Sequence, residues 1–364
     1  MTDDSDRYHR QSLLPGFGAF GQHRLSRSTA LVLGCGALGS VAADLLARAG
    51  VGHLVIVDRD FVELSNLQRQ VLFDEQDATD MLPKAEAAKR RLQAVNSSIR
   101  ITAIVDDINH TNIEKISNGA DVIIDGLDNF ETRYLANDLA VKKTVPYVYG
   151  AAVGTTGMAF TILPRSDGQS PWESSSQGNL ATACLRCLFE EMPAPGTTPT
   201  CDTVGVISAA VGMVANVQVA EALKILTGNF HKVNRSLLNF DVWENDILQL
   251  NADATFQSGN CPCCRHRSFE FLGGQQGSSA VSLCGRNAVQ LRHKQGGAVL
   301  DLESIADRVR EEADIVTNEF MLRMNVRHHD REYEISLFKD GRAIIKGTDD
   351  VTAARSLYSK FIGS

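Results

Sequence analysis

The sequence predicts an α/β protein built on a doubly wound, mostly parallel sheet, with a small α+β domain at its C-terminal end. Three observations predict it. Strand-length apolar runs alternate with helix-length stretches through the first half, a glycine-rich turn joins the first run to the first helix, and a polar break at Gly273-Gly274-Gln275-Gln276-Gly277-Ser278-Ser279 sets off a tail of different rhythm. Continuous apolar runs suit strands covered by helices on both faces, the setting of a parallel sheet. At 364 residues the chain is too long for one small core and suits roughly two domains, at about 100–200 residues each.

Thr29-Ala30-Leu31-Val32-Leu33 and His53-Leu54-Val55-Ile56-Val57-Asp58 are the first strands, and 99–105, 121–125 and 146–149 supply further ones. Helical stretches lie between them at about 39–50, 83–95 and 130–143, the second opened by Pro83, whose fixed φ and missing N–H suit a first turn. An apolar run at 158–163 precedes two segments poor in apolar residues, Ser166–Thr182 and Pro193–Pro199, read as surface loops. A long apolar helix over Val206–Leu226, closed by Gly228, comes next, then short strands at 237–240 and 247–250. Alternating strands around Leu322 and Ile335 and a hairpin turn at Asp340-Gly341 give the tail the order β-α-β-β-β-α, with helices near 302–313 and 349–361. The expected domain boundaries are 1–267, a linker at 268–280, and 281–364.

Composition narrows the function. The net charge of −8 argues against a basic nucleic-acid-binding face, and Trp172 and Trp243 are isolated, without the interleaving that stacks bases. No uninterrupted run of about 18 apolar residues exists, which argues against a membrane span. The acidic start, Met1-Thr2-Asp3-Asp4-Ser5-Asp6, is unlike a secretory signal. Eight cysteines, four of them in CxxC pairs, favour metal over disulfides and a cytoplasmic setting.

Gly34-Cys35-Gly36-Ala37-Leu38-Gly39 follows a strand and opens a helix, the Rossmann-like arrangement in which glycines let a phosphate approach the amides of a helix N-terminus. Asp58 ends the next strand, where a carboxylate accepts ribose hydroxyls. These residues mark an adenosine nucleotide and leave NAD and ATP open. Asn66, Arg69 and Lys84 favour a triphosphate, to which Arg offers a forked contact and Lys a point charge; hydride transfer has no need of them. Asp128 follows another buried strand and offers hard oxygens suited to Mg²⁺. Singly, Arg69 and Lys84 read as surface ion pairs and Asp128 as a helix cap; in this order they point to ATP.

Cys184-Leu185-Arg186-Cys187 and Cys261-Pro262-Cys263-Cys264 are two knuckles that complete a tetrahedral Zn²⁺ site. Spacing makes Cys184, Cys187, Cys261 and Cys264 the ligands, with Cys263 a competing thiol and a redox dithiol the alternative. Cys201 stands apart before the long helix, where a helix N-terminus lowers a thiol's pKa. Cys35 and Cys284 read as packing residues, His328-His329 as a solvated pair, and His9 as N-terminal packing.

Together, Arg7-Tyr8-His9-Arg10-Gln11, the Gly34–Gly39 loop, Val57-Asp58-Arg59-Asp60, Ser65-Asn66-Leu67-Gln68-Arg69-Gln70, Pro83-Lys84 and Asp128-Asn129 resemble the ThiF/MoeB/HesA adenylyltransferases over about residues 7–265. The tail, with Leu283–Asn287 and Leu337–Ala343, resembles the longer ThiF form of thiazole (thiamin) biosynthesis, while Ser166–Thr182 departs from the family by its length. The resemblance implies that the C-terminal glycine carboxylate of a ubiquitin-like sulfur carrier attacks the α-phosphate of ATP. A ThiS-type carrier is expected, a MoaD-type carrier being the alternative. It implies Gly36 at the phosphates within the Gly34–Gly39 loop, Asp58 on the ribose, Asn66, Arg69 and Lys84 on the phosphates and Asp128 on Mg²⁺, with Asp60, Ser65 and Asn129 beside them. It also implies a homodimer in which Arg10 reaches the neighbouring subunit's phosphates, a structural Zn²⁺, a Cys201 able to bond to the carrier, and a separate sulfur donor. Readings of other classes are an NAD-dependent oxidoreductase, motivated by the glycine loop and Asp58, and a non-catalytic carrier-binding scaffold.

Overall fold

β1 (Thr29–Leu33) is buried from Ala30 onward and lies inside an eight-stranded sheet. The computed structural model describes residues 7–165, 172, 180–193, 201–252, 259–276, 281–283, 287–291, 300–310, 313–328, 331–339 and 341–362. They divide into two compact units, Met1–Pro193 with Val204–Gln276, and Ala194–Thr203 with Gly277–Ser364.

In the first unit β1 is joined by β2 (His53–Val57), β3 (Arg100–Ile104), β4 (Val122–Asp125), β5 (Tyr147–Val153), β6 (Thr156–Ile162), β7 (Ser236–Asp241) and β8 (Asp246–Asn251), in the order β3-β2-β1-β4-β5-β6-β7-β8. The run from β3 to β5 is parallel; β6, β7 and β8 add antiparallel pairs. The chain leaves β1 toward β2 on one side and returns as β4 on the other. The carboxyl ends of β1 and β4 therefore flank a switch point, where open α/β sheets gather ligands.

Two apolar clusters flank this region. Leu31 and Leu33 pack with Ile123 and with Tyr134, Leu135 and Leu139 of the helix Phe130–Lys143. Leu38, from the helix Ala37–Ala49, packs with Val211, Val214 and Phe240. Asn129 starts the helix Phe130–Lys143 by accepting the Thr132 N–H at 2.8 Å, and Lys142 and Lys143 suit its C-terminal dipole. The long helix begins at Ser208, two residues later than expected, and ends at Leu226. Gly228, at φ 83°, permits its close: Asn229 N–H reaches Lys224 O at 2.7 Å and Gly228 N–H reaches Ile225 O at 3.0 Å. With 19 residues and a mean hydropathy of 1.4 this helix is long and apolar enough to cross a membrane, but 56% of that stretch is buried in the protein, where Gln218 bonds the sheet.

The second unit is a six-stranded antiparallel sheet of β9 (Val281–Leu283), β10 (Ala288–Leu291), β11 (Ala313–Thr317), β12 (Met321–His328), β13 (Arg331–Phe338) and β14 (Ala343–Lys346), ordered β11-β12-β13-β14-β10-β9. Helices Leu302–Val309 and Val351–Phe361 bury Ile305, Val309, Leu357 and Phe361 against Leu322, Met324, Ile335 and Ile345. The order is thus β-β-α-β-β-β-β-α rather than β-α-β-β-β-α. The helix expected to reach 313 stops at Val309, and Ala313 opens an edge strand whose five residues are all part-buried or exposed, so no alternation announced it.

The expected linker is also corrected. Phe271 and Leu272 are buried, their N–H groups donate to Asp138 Oδ2 at 3.0 and 3.3 Å, and the Phe271 ring lies 5.0 Å from Tyr134. Residues 268–276 therefore belong to the first unit. Trp172 is buried beside Phe230 at 5.3 Å, Cys35 is buried and His9 is exposed rather than packed. Most of Ser166–Thr182, the stretch 194–200, Cys284, His329 and Asp340 lie outside the described residues.

Candidate nucleotide site and four-cysteine centre

Three glycines at the switch point are demanded by the protein's own packing. A Cβ at Gly34, whose φ is 85°, would lie 2.5 Å from Gly126 O; at Gly39 it would lie 1.9 Å from Gly34 O, and at Gly126 2.3 Å from Gly34 O. The turns after β1 and β4 thus interlock backbone to backbone. Gly36 differs, because a Cβ there would meet nothing nearer than Gln70 Nε2 and Gly126 O, each at 4.0 Å. It is also the N-cap of Ala37–Ala49, an end with no side-chain cap and no acid in its first turn. No side chain caps those first N–H groups, an arrangement that suits a phosphate.

Asp58 is buried at the end of β2; its Oδ2 accepts the Cys35 N–H at 2.6 Å and its Oδ1 the Asp60 N–H at 2.7 Å. Burial raises this carboxyl, and Lys84 opposes the rise. Asp58 therefore braces the glycine loop while each oxygen keeps a lone pair for a hydroxyl. Lys84 is buried at the start of the helix Lys84–Val95 and pairs with Asp60 at 3.4 Å; Asp60 also faces Arg59, which bonds Asp107 at 3.0 Å. Asp60 thus anchors the Lys84 ammonium. A buried cation at a helix N-terminus opposes the helix dipole, a local conflict of the kind that marks functional sites.

Leu64–Asn66 is a single 3₁₀ turn, in which buried Asn66 accepts the Glu63 N–H at 3.2 Å and Arg69 Nη1 donates to Ser65 O at 3.0 Å. Ser65 and Asn66 shape the turn that presents Arg69. Gln70 is 3% exposed, and its Oε1 has no hydrogen-bond partner among the described residues. Sequence reading passed over it inside the Ser65–Gln70 motif; its only signal was an amide next to Arg69. Across the switch point Asp128 is exposed at the carboxyl end of β4, and Asn129 Nδ2 donates to its Oδ1 at 3.1 Å.

One expected residue is not brought to this edge by its own chain. Tyr8 is seated at Gly50, where a Cβ would lie 2.5 Å from its ring; its hydroxyl accepts from Asn96 Nδ2 at 2.8 Å, and Gln11 Nε2 donates to Ala49 O at 2.9 Å. These anchors place Arg10 at the far end of the 13-residue helix Ala37–Ala49, about 20 Å from the glycine loop at 1.5 Å per residue. No arginine side chain spans that distance. Cys201 is part-buried and opens a separate four-residue helix, Cys201–Val204, whereas the long helix starts at Ser208. The long helix therefore starts seven residues beyond Cys201, and the helix that Cys201 itself opens is the short one.

Cys184, Cys187, Cys261 and Cys264 are all buried, with their four sulfurs within 4.8 Å of one another. Cys184 Sγ lies 3.8 Å from Cys187 Sγ and 3.6 Å from Cys261 Sγ, and Cys187 Sγ lies 3.4 Å from Cys264 Sγ. A tetrahedral zinc with Zn–S of about 2.3 Å needs edges of about 3.8 Å, so the cluster fits that ion. Cys263 stands outside the four, accepting from Asn137 Nδ2 at 3.3 Å.

Fold and switch point together define an α/β nucleotide-binding protein carrying a thiol cluster. The model of the ThiF family matches residues 8–263, and the chain belongs to the ThiF family. It is 42% identical, over 98% of this chain and 99% of the other, to a Bacillus subtilis (strain 168) protein named sulfur carrier protein ThiS adenylyltransferase. It is 37% identical to the SAMP-activating enzyme E1 of Haloferax volcanii, over 71% of this chain and 88% of that one. Among solved structures, E. coli MccB with ATP matches at a TM-score of 0.56 and 24% identity, covering 71% of this chain and 74% of that one, a likeness of fold.

Proposed function

We propose that this protein adenylates the C-terminal glycine of a ubiquitin-like sulfur carrier of the ThiS type. The observation that carries the reading is the open face at Gly36, over an uncapped helix end, with Arg69 just after the 3₁₀ turn, Lys84 at the start of its helix and Asp128 just after β4. Support for a ThiS-type carrier comes from the Bacillus subtilis likeness, which runs through the C-terminal unit.

In the reaction a carboxylate oxygen of the carrier attacks the α-phosphorus of ATP, the bond from that phosphorus to the bridging oxygen breaks, and pyrophosphate leaves with the electron pair. No side chain has to move a proton, so catalysis is positioning and charge neutralisation. The Gly36 backbone and first-turn amides of Ala37–Ala49 bind the phosphates, Asp58 takes the ribose hydroxyls, and Arg69 and Lys84 neutralise the triphosphate. Asp128, steadied by Asn129, would hold Mg²⁺, which adds neutralising charge when bound. Arg10 acts on the second subunit of a homodimer, which its distance from its own glycine loop supports. The four clustered cysteines would hold a structural Zn²⁺. In a later step Cys201 Sγ attacks the adenylate carbonyl, the carbonyl–oxygen bond to AMP breaks, AMP leaves with the electron pair and the thiol proton passes to water, giving a thioester; a separate donor in the cytoplasm supplies sulfur.

The test is mass spectrometry of ThiS-type and MoaD-type carriers after incubation with the protein and Mg-ATP, with NAD as a control. AMP on the ThiS-type carrier alone is expected. AMP on the MoaD-type carrier alone moves the reading to that partner, and none on either, with carrier binding retained, replaces it with the scaffold reading.

A further inference from the structure

We propose that Arg133, with Asp125 and Tyr147 behind it, is the positioning residue for Asp128, fixing that carboxylate's direction before nucleotide or metal arrives. The inference rests on the proposed adenylation site and names what sets its geometry.

Asp125 is fully buried at the end of β4, yet both oxygens of its carboxylate are engaged. Oδ1 accepts the Leu127 N–H at 2.9 Å, while Oδ2 accepts the Tyr147 hydroxyl at 2.6 Å and Arg133 Nε at 3.2 Å. From the helix Phe130–Lys143 the Arg133 guanidinium turns back under the turn; Nη2 donates to Leu127 O at 2.7 Å and to Gly150 O at 3.1 Å. It lies over two rings, 5.7 Å from the centroid of Phe130 and 5.4 Å from that of Tyr149. Gln218 Nε2 ties Asp125 O at 2.8 Å and Val148 O at 3.0 Å.

The result is that Leu127 is held at both its N–H and its C=O, while Asn129 is fixed as a helix cap. Asp128 stands exposed between two immobilised neighbours. A buried ion pair is a poor device for stability alone, since apolar packing of the same volume commonly does as well. It is an effective device for direction, because the planar fork of arginine bonds a carboxylate and two carbonyls at once. Lysine keeps the charge and loses the fork.

The test uses the full chain and isothermal calorimetry of ATP binding, in EDTA and across a Mg²⁺ titration, for wild type, Arg133→Lys and Tyr147→Phe. Groups that orient a metal ligand typically change metal affinity by 10–100-fold, so Arg133→Lys is expected to raise half-saturating Mg²⁺ by about tenfold while ATP affinity in EDTA stays within about twofold. Tyr147→Phe removes one hydrogen bond and is expected to act in the same direction by about threefold. Equal losses with and without Mg²⁺, or no change in either, overturn the assignment and leave a merely structural network. Should Arg133→Lys fail to fold, Tyr147→Phe decides by the same criterion. No carrier is present in this experiment, so a failed adenylation assay counts against the proposed function alone. Wild-type binding indifferent to Mg²⁺ counts against Asp128 and Arg133 together.

Discussion

The turn after β1 and the turn after β4 meet at one switch point and are held by opposite means. The first is shaped by what is missing: at Gly34 and Gly39 the backbones close to distances that no Cβ tolerates. The second is shaped by what is added, a buried cluster of Asp125, Arg133, Tyr147 and Gln218. Steric closure needs only the right residues in a short segment. Polar closure draws on a helix 93 positions away in the chain and gives directional control of an exposed carboxylate. In the proposed reaction a rigid cradle for phosphate and an aimed ligand for a cation would call for these two different solutions.

The largest effect tests whether both turns serve one reaction. Lys84→Ala, on the side braced by Asp58 and Asp60, and Asp128→Ala, on the other, should each lower carrier-dependent pyrophosphate exchange by about 10²–10³-fold. Near-normal exchange in either variant removes that residue from the mechanism. Next comes the steric half. Gly39→Ala drives a Cβ against Gly34 O and should lose about 3 kcal/mol in urea unfolding, together with ATP binding; wild-type unfolding would show that the loop closes by other means. Asn129→Ala removes the cap of the helix that carries Arg133 and should lower stability by about 1 kcal/mol. An unchanged melting curve would put that helix's start under other control. The smallest stability effect sharpens the comparison most: Gly36→Ala should stay within about 0.5 kcal/mol of wild type while weakening ATP binding, because its open face serves the ligand and not the fold. Equal weakening of fold and binding would make Gly36 a packing glycine like its neighbours.

The parallel half of the sheet was legible because its strands are apolar runs, broken only in β3 by Arg100 and Thr102, and its helices have local start signals, Pro83 and Asn129 among them. The glycine loop and the two cysteine knuckles were legible for the same reason, being short motifs with fixed spacing. The edge strand β11 was not: it shows no alternation because neither face of it is well buried. Asp60 carries no sign in sequence that it will take Lys84 as partner, and Arg133 looks like any helical arginine until Tyr147 and Gly150 fold beside it. The segment 268–276 reads as polar linker because its two anchoring residues, Phe271 and Leu272, are few and their acceptor, Asp138, lies far back in the chain.

Tyr8 and Gln11 pin the N-terminal segment at Ala49 and Gly50, so a chain cannot turn its own Arg10 onto its own glycine loop. In the proposed homodimer each active site is then written by two chains, and two dead enzymes can rescue one another. Equal amounts of Arg10→Ala and Lys84→Ala chains, allowed to exchange subunits, should regain about a quarter of wild-type activity, since half the dimers are mixed and each mixed dimer holds one sound site. Lys84→Ala mixed with Asp128→Ala should regain none, because both lesions fall in the half that a chain supplies to itself.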